Sequence, residues 1–167
     1  MWDFLNQLKP SYDLPTRKEP VIRWECADLL APVRTDSAKL KLILQNLIDN
    51  ALKFTKSGEV KISAGISSAP LLPSSPAGGQ GGGGARVSYV EFKVSDTGVG
   101  IPKEHLPFIF DKFRQADSSE TRSFGGVGMG LYIVKKFTEL LGGTVQVESE
   151  PNKGTTFTVT IPCGTGS

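Results

Sequence analysis

The sequence predicts an α+β fold, a two-layer α/β sandwich with helices on one face of a mixed, mostly antiparallel sheet. Two observations carry that expectation. Apolar residues between Asp36 and Phe54 recur at helical spacing, whereas residues 59–66, 87–95, 144–148 and 155–161 alternate in the two-residue period of a strand. The order αβαββαββ, with hairpins in its second half, then leaves the helices to share one side of a sheet.

Each element has its own local reason. Trp2 to Leu8 places Trp2, Leu5 and Leu8 on one helical side, and Pro10 ends or kinks that helix. Val21 to Cys26 reads as a strand, and 31–35 as a short connector. In the long helix Asp36 is a plausible N-cap, and Leu40, Ile43, Leu44, Leu47, Ile48 and Ala51 form one stripe. At 100° per residue, Asn46, Asn50 and Lys53 fall within about 60° of one another beside that stripe. Polar groups there either face solvent or line a cleft.

The strands 59–66 and 87–95 make a hairpin joined by residues 67–86, a flexible insertion rich in Gly, Ser and Pro. Six glycines crowd between Gly78 and Gly84. A phosphate cradle needs glycines leading into a helix, and this run leads into a strand. A solvated loop is therefore expected. DTGVGIP (96–102) is a loop, and the polar run 115–122 predicts a mobile surface segment. GGVGMG (125–130) opens a helix of about 129–141, capped by Gly142 and Gly143. The last two strands turn across 151–154.

Composition narrows the function. A chain of 167 residues amounts to about one domain at ~100–200 residues per domain. Lys and Arg total 19 against 17 Asp and Glu, which gives no electrostatic case for a nucleic-acid or membrane-surface partner. Cys26 and Cys163 lack metal-type spacing, and His105 is the only histidine, so neither a zinc site nor a disulfide framework is expected. No apolar run reaches the ~20 residues of a membrane span.

Singly, the glycine motifs are weak. GGVGMG exposes backbone amides at Gly128 and Gly130 where a helix dipole favours an anion, yet it matches neither the P-loop nor the Rossmann fingerprint. In combination the segments are specific. NLIDNALKFT (46–55), DTGVGIP (96–102), FIFDKFRQADSSETR (108–122), GGVGMGL (125–131) and GTTFTV (154–159) follow one another in an order that resembles the ATP-binding catalytic domain of sensor histidine kinases. That family lies in the superfamily of gyrase-type, chaperone and mismatch-repair ATPases. The wording FRQADSSETRSFGG is most similar to hybrid or multidomain sensor kinases.

The resemblance implies roles. It makes Asn50 the Mg²⁺ ligand and places Asn46 and Lys53 near the phosphates of ATP. Asp96 would accept a hydrogen bond from the adenine amine, a contact that guanine cannot make. Gly98 and Gly100 would let the backbone pass close to the nucleotide, and Gly126, Gly128, Gly130 and Leu131 complete the nucleotide-binding set. Phe108, Phe110 and Phe113 border a mobile ATP lid at 111–127, in which Arg122 is the candidate cation for the γ-phosphate and Arg114 a weaker one.

It further implies a single catalytic domain over 1–167 that binds Mg-ATP and donates the γ-phosphoryl group to a histidine on a separate dimerisation domain, with a response regulator downstream. His105 lies between family motifs and is not expected to be that acceptor. The isolated chain is thus expected to be a monomer that does not autophosphorylate. A cytoplasmic location is implied, whether or not the parent protein is anchored in a membrane.

Two departures stand out. Many relatives read GGTGLGL, so Val127 removes a hydroxyl near the phosphates, and weaker binding is expected. The phosphoacceptor histidine is absent. The alternative is a degenerate or anti-sigma-type nucleotide-binding module acting through partner contacts, against which the intact Asn46, Asn50 and Asp96 argue. A gyrase-like or chaperone-like ATPase would carry a glutamate in the asparagine helix, and this helix has none.

Overall fold

The computed structural model describes residues 2–12, 20–26, 35–68, 88–112 and 129–162. Its organising element is the helix that the apolar stripe specifies, which runs Ser37–Phe54 and is flanked by a short N-terminal helix, α1, at Trp2–Leu8. Asp36 caps the long helix, α2. Its carboxylate accepts from the amides of Ala38 and Lys39 at 3.0 and 3.1 Å, satisfying two of the four donors that a helix start leaves unpaired. All six stripe residues are buried. Burial of each large aliphatic side chain is worth roughly 1.5–3 kcal/mol, so the stripe fixes which way α2 faces.

It faces a five-stranded sheet. The strands are β1 Val21–Cys26, β2 Glu59–Ser68, β3 Ser88–Asp96, β4 Thr144–Glu150 and β5 Gly154–Pro162. Their order is β1-β2-β3-β5-β4, with only the β1–β2 pair parallel. The parallel pair follows from the crossover through α2, since parallel neighbours need such a connection. Val60, Ile62 and Ala64, then Val90, Phe92 and Val94, then Phe157, Val159 and Ile161 point alternately into the core. Leu5, Leu8 and Tyr12 join them from the N-terminal segment.

The second long helix, α3, spans Gly130–Leu140 and packs against α2, β4 and β5. Its C-terminus closes as expected. The amides of Gly142 and Gly143 donate to the carbonyls of Glu139 and Thr138 at 3.0 and 2.9 Å, the paired bonds of a Schellman cap. The other face of the sheet is polar. Arg23–Glu59, Lys61–Glu25 and Lys93–Glu91 pair across it, and exposed pairs of this kind add little stability.

Strand boundaries differ from the sequence reading in one direction. Ser67 and Ser68, expected to begin the insertion, continue β2 and pair with Tyr89 and Ser88. The β4–β5 hairpin likewise runs on to a Glu150–Gly154 pair. Backbone hydrogen bonding extends a ladder past the point where side-chain alternation fades. The remainder of the 67–86 insertion, the 31–34 connector and Cys163 lie outside the described residues.

Candidate functional site

The polar edge of α2 meets the start of α3. Asn46 holds its carboxamide by donating from Nδ2 to the Leu42 carbonyl at 2.7 Å. That fixes Oδ1 toward Gly130, where an added Cβ would lie 2.9 Å from it and 3.9 Å from Asn50 Nδ2. A Cβ on the first residue of α3 would press on the Asn46 carboxamide oxygen, whereas Asn50 would remain at ordinary contact distance. Leu131 follows, packed on the core. Met129 precedes, with no side-chain cap on the helix, so the amides at the start of α3 lie beside the two asparagines without a side-chain acceptor from their N-cap. Lys53 is directed elsewhere on α2. Its ammonium lies 5.3 Å from the centre of the Phe54 ring and lines a shallow cavity of about 350 Å³ with Ser11, Tyr12, Asp49 and Leu52.

Asp96 ends β3 on the other side of the α2 C-terminus. Its Oδ1 accepts the Gly98 amide at 2.8 Å, the local turn that an Asp-x-Gly sequence favours. Burial pushes its carboxyl above the usual carboxylate range, opposed by the backbone amides of Gly98 and Thr155. Thr55, the residue after α2, opposes it in the same sense, although its hydroxyl falls short of a formed hydrogen bond among the described residues.

The loop after Asp96 is stitched from both sides. Val99 donates to the Phe54 carbonyl at 3.3 Å, and Asn152 donates to the Val99 carbonyl at 2.8 Å. Ser149 Oγ accepts from the Ile101 amide at 2.7 Å and donates to the Gly154 carbonyl at 3.0 Å, so Thr155 Oγ1, 2.8 Å away, is the donor of their pair. Gly100 needs its φ of +70°, and an added Cβ would lie 2.1 Å from the Glu150 carbonyl. At Gly98 the Phe54 carbonyl stands 2.3 Å from that position. In the described structure both glycines admit the close approach of protein backbone.

The aromatic segment divides. Phe110 packs edge-on to Phe157 with ring centres 6.3 Å apart, whereas Phe108 is exposed. His105 opens a short turn, with its amide on Pro102 and its carbonyl accepting from Phe108. Lys112 lies over the Tyr132 ring at 4.7 Å. Phe113, Arg114, Arg122, Gly126, Val127 and Gly128, with all but the first two residues of the 111–127 lid, lie outside the described residues.

Of the expected nucleotide-binding residues, the structure thus brings Asn46, Asn50 and Gly130 together at one helix junction. Asp96 and Gly98 lie at the end of α2, with Gly100 on the loop beyond, and Lys53 lies off toward Tyr12. Sequence reading missed Thr55, Ser149 and the Tyr12–Asp49 hydrogen bond of 3.0 Å. Only the placement of Thr55 inside NLIDNALKFT offered any signal. Among the described residues no group of three His, Cys, Asp or Glu side chains converges on a point that would hold a metal.

A mixed sheet covered on one face by two helices, with paired asparagines at the helix junction and a half-buried aspartate at the strand end, defines a two-layer sandwich of the ATPase type. The family model for the histidine kinase-, DNA gyrase B- and HSP90-like ATPases matches residues 35–165, and the chain belongs to that family. Among curated relatives, the autoinducer 2 sensor kinase/phosphatase LuxQ of Vibrio vulnificus is 36% identical over 99% of this chain and 18% of its own length. Histidine kinase 5 of Arabidopsis thaliana is 37% identical over 83% of this chain and 16% of its own. The chain spans under a fifth of the length of these relatives.

Solved structures agree on the fold. Full-length ShkA in complex with AMPPNP has a TM-score of 0.69 at 28% identity, covering 99% of this chain and 30% of that one. The catalytic domain of histidine kinase ThkA, nucleotide-free, has a TM-score of 0.72 at 23% identity over 98% of this chain and 92% of its own.

Proposed function

We infer that this chain is the ATP-binding catalytic domain of a sensor histidine kinase, which binds Mg-ATP and donates its γ-phosphoryl group to a histidine on a separate dimerisation domain. The observation that carries the reading is the junction of Asn46, Asn50 and Gly130, with Asp96 at the far end of the same helix. That arrangement offers a phosphate end and a base end along one face of α2.

At the base end, the Asp96 carboxylate accepts a hydrogen bond from the exocyclic amine of adenine. Guanine has a carbonyl there and would leave the half-buried carboxylate unpaired. At the phosphate end, the amides that open α3 favour negative charge. Asn50 is half-exposed on α2 and offers a neutral, hard oxygen, the donor type that Mg²⁺ accepts while keeping most of its shell as water and phosphate oxygen. Bound there, the ion would neutralise charge on the phosphates. Asn46 orients that end through its fixed carboxamide. Lys53 would reach the phosphates only by swinging away from the Phe54 ring, and Arg122 and the glycines 126 and 128 complete the set from the lid.

The transfer breaks the bond from the γ-phosphorus to the ADP oxygen as a histidine nitrogen bonds to that phosphorus. His105 is not placed for this role, so the acceptor comes from another domain. A response regulator would then take the phosphoryl group, in a cytoplasmic setting, and the domain by itself would be a monomer. No helix among the described residues is long and apolar enough to cross a membrane.

Calorimetric titration of the 167-residue chain with ATP and GTP, with and without Mg²⁺, tests the reading. ATP is expected to bind in preference to GTP, and more tightly with Mg²⁺. Equal affinity for the two purines would overturn it.

A further inference from the structure

Near Asp96, at the end of α2, lies a buried hydroxyl without a hydrogen-bond partner among the described residues. Thr55 is 1% exposed, and its Oγ1 has no partner among the described residues. Buried polar groups are nearly always paired, and one that is not asks for an explanation. The surroundings supply it. Thr55 follows Phe54, whose carbonyl accepts from Val99 and stands, like Asp96 Oδ1, within 3 Å of the space beside Gly98. The Thr55 methyl faces Gly58, at 3.9 Å from an added Cβ there. Of the donors around Asp96, the Gly98 and Thr155 amides belong to fixed backbone. The Thr55 hydroxyl is the one that can rotate.

We propose that Thr55 is a positioning residue of the base pocket, whose hydroxyl completes a hydrogen bond to the Asp96 carboxylate when that carboxylate turns to accept a purine amine. It acts through Asp96, because a hydroxyl closed to solvent does not itself reach a ligand. In the free protein the carboxylate leans on Gly98 and the hydroxyl falls short. On binding, the donor follows the carboxylate, keeps it ionised and fixes its lone pairs toward the amine. The inference rests on Asp96 being the base-recognising group. Besides these donors, Glu148, Glu150 and Lys153 line a shallow groove at Asp96, with Lys153 paired to Glu150 at 2.5 Å. No charged side chain contributes to the displacement of the Asp96 pKa.

The test compares the 167-residue chain with Thr55→Val, Thr55→Ser, Thr55→Ala and Asp96→Asn, titrating each with Mg-ATP from neutral to acidic pH. Thr55→Val keeps the shape and removes the donor. It is expected to bind ATP roughly three- to tenfold more weakly, the scale of one lost hydrogen bond, and to lose affinity at higher pH than the wild type as the sample is acidified. Thr55→Ser should restore both the affinity and the position of the acid limb. Where Thr55→Val unfolds, Thr55→Ser against Thr55→Ala carries the comparison, since both lack the methyl and differ only in the hydroxyl. Wild-type affinity with an unmoved acid limb in the hydroxyl-free variants, while Asp96→Asn binds poorly, overturns the role of Thr55 alone. If Asp96→Asn also binds as the wild type, the base-pocket reading falls, and this inference with it.

Discussion

Asp96 shows how a single residue is held against its own preference. Its carboxyl titrates above the ordinary range because burial penalises the charged form more than its amide donors favour it. A folded-state pKa raised above the unfolded one gives stability that is present below the unfolded pKa and lost as pH rises through the folded one. At neutral pH the free domain therefore carries the cost of an ionised, half-buried carboxylate. Asp96→Asn removes the charge and keeps an acceptor for Gly98. Thermal unfolding at pH 7 should show a midpoint equal to or above that of the wild type, while calorimetry shows ATP binding weaker by roughly 1–3 kcal/mol. A variant both less stable and equally tight would contradict that assignment.

Tyr12 carries a shift of the same sign at the other flank of α2. Its hydroxyl donates to Asp49 at 3.0 Å, and burial, with the nearby carboxylate, pushes the phenol well above its usual range. The same sign rule applies. The contribution is complete below the unfolded phenol pKa of about 10 and declines as pH rises above it. Unfolding followed from pH 8 to 11 should show stability falling at the alkaline end. Tyr12→Phe should lower stability at pH 8 by about 1 kcal/mol and flatten that decline.

Among the elements, the junction of α2 and α3 depends on one missing side chain. An alanine at Gly130 is favourable for a helix by roughly 0.5–1 kcal/mol, yet its Cβ would lie 2.9 Å from Asn46 Oδ1. The helix gain and the clash oppose each other, so Gly130→Ala should leave the thermal midpoint within a few degrees. The displaced Asn46 carboxamide should still lower ATP affinity by roughly tenfold, as one misplaced polar group does. Unchanged affinity would show that the start of α3 does not serve the phosphate end. The hairpin elements behave differently. Ser149 ties β4, β5 and the loop at Ile101 into one hydrogen-bonded corner, so the base end is braced by strand ends that are remote in sequence.

At the level of the molecule, β2 and β3 are already paired out to Ser68 and Ser88. The residues between them have a Gly-, Ser- and Pro-rich composition that offers little to bury. Replacing 69–87 by a four-residue turn shortens the closure and should raise stability by about 1 kcal/mol at most. ATP affinity should stay unchanged by titration, and a large loss of either would show that the segment packs on the domain. Autonomy is the other molecular property. Incubated with radiolabelled ATP, the chain alone should acquire no acid-labile label, and a separate dimerisation domain bearing an acceptor histidine should acquire it in trans. Label that appears on the isolated chain and vanishes in His105→Ala would overturn the donor-only reading.

The sequence by itself determined what is local and periodic. The stripe of α2, the Asp36 cap, the glycine cap after α3 and the alternation of every strand each depend on neighbours within a turn or two, so they are written where they act. The adjacency of Asn46 and Asn50 was equally legible, because helical spacing alone puts them on one edge. Only the tertiary structure decided what joins distant stretches. Alternation cannot tell which strands become neighbours, so the insertion of β5 between β3 and β4 and the parallel β1–β2 pair were not readable from it. Nor can a threonine in a helix-end motif announce that its hydroxyl will be buried without a partner near a strand-end aspartate. The contacts of Ser149 and Tyr12, and the burial of Thr55, arise only when core packing has fixed the elements. That is why the motif residues could be proposed from the sequence, whereas the long-range contacts that surround them could not.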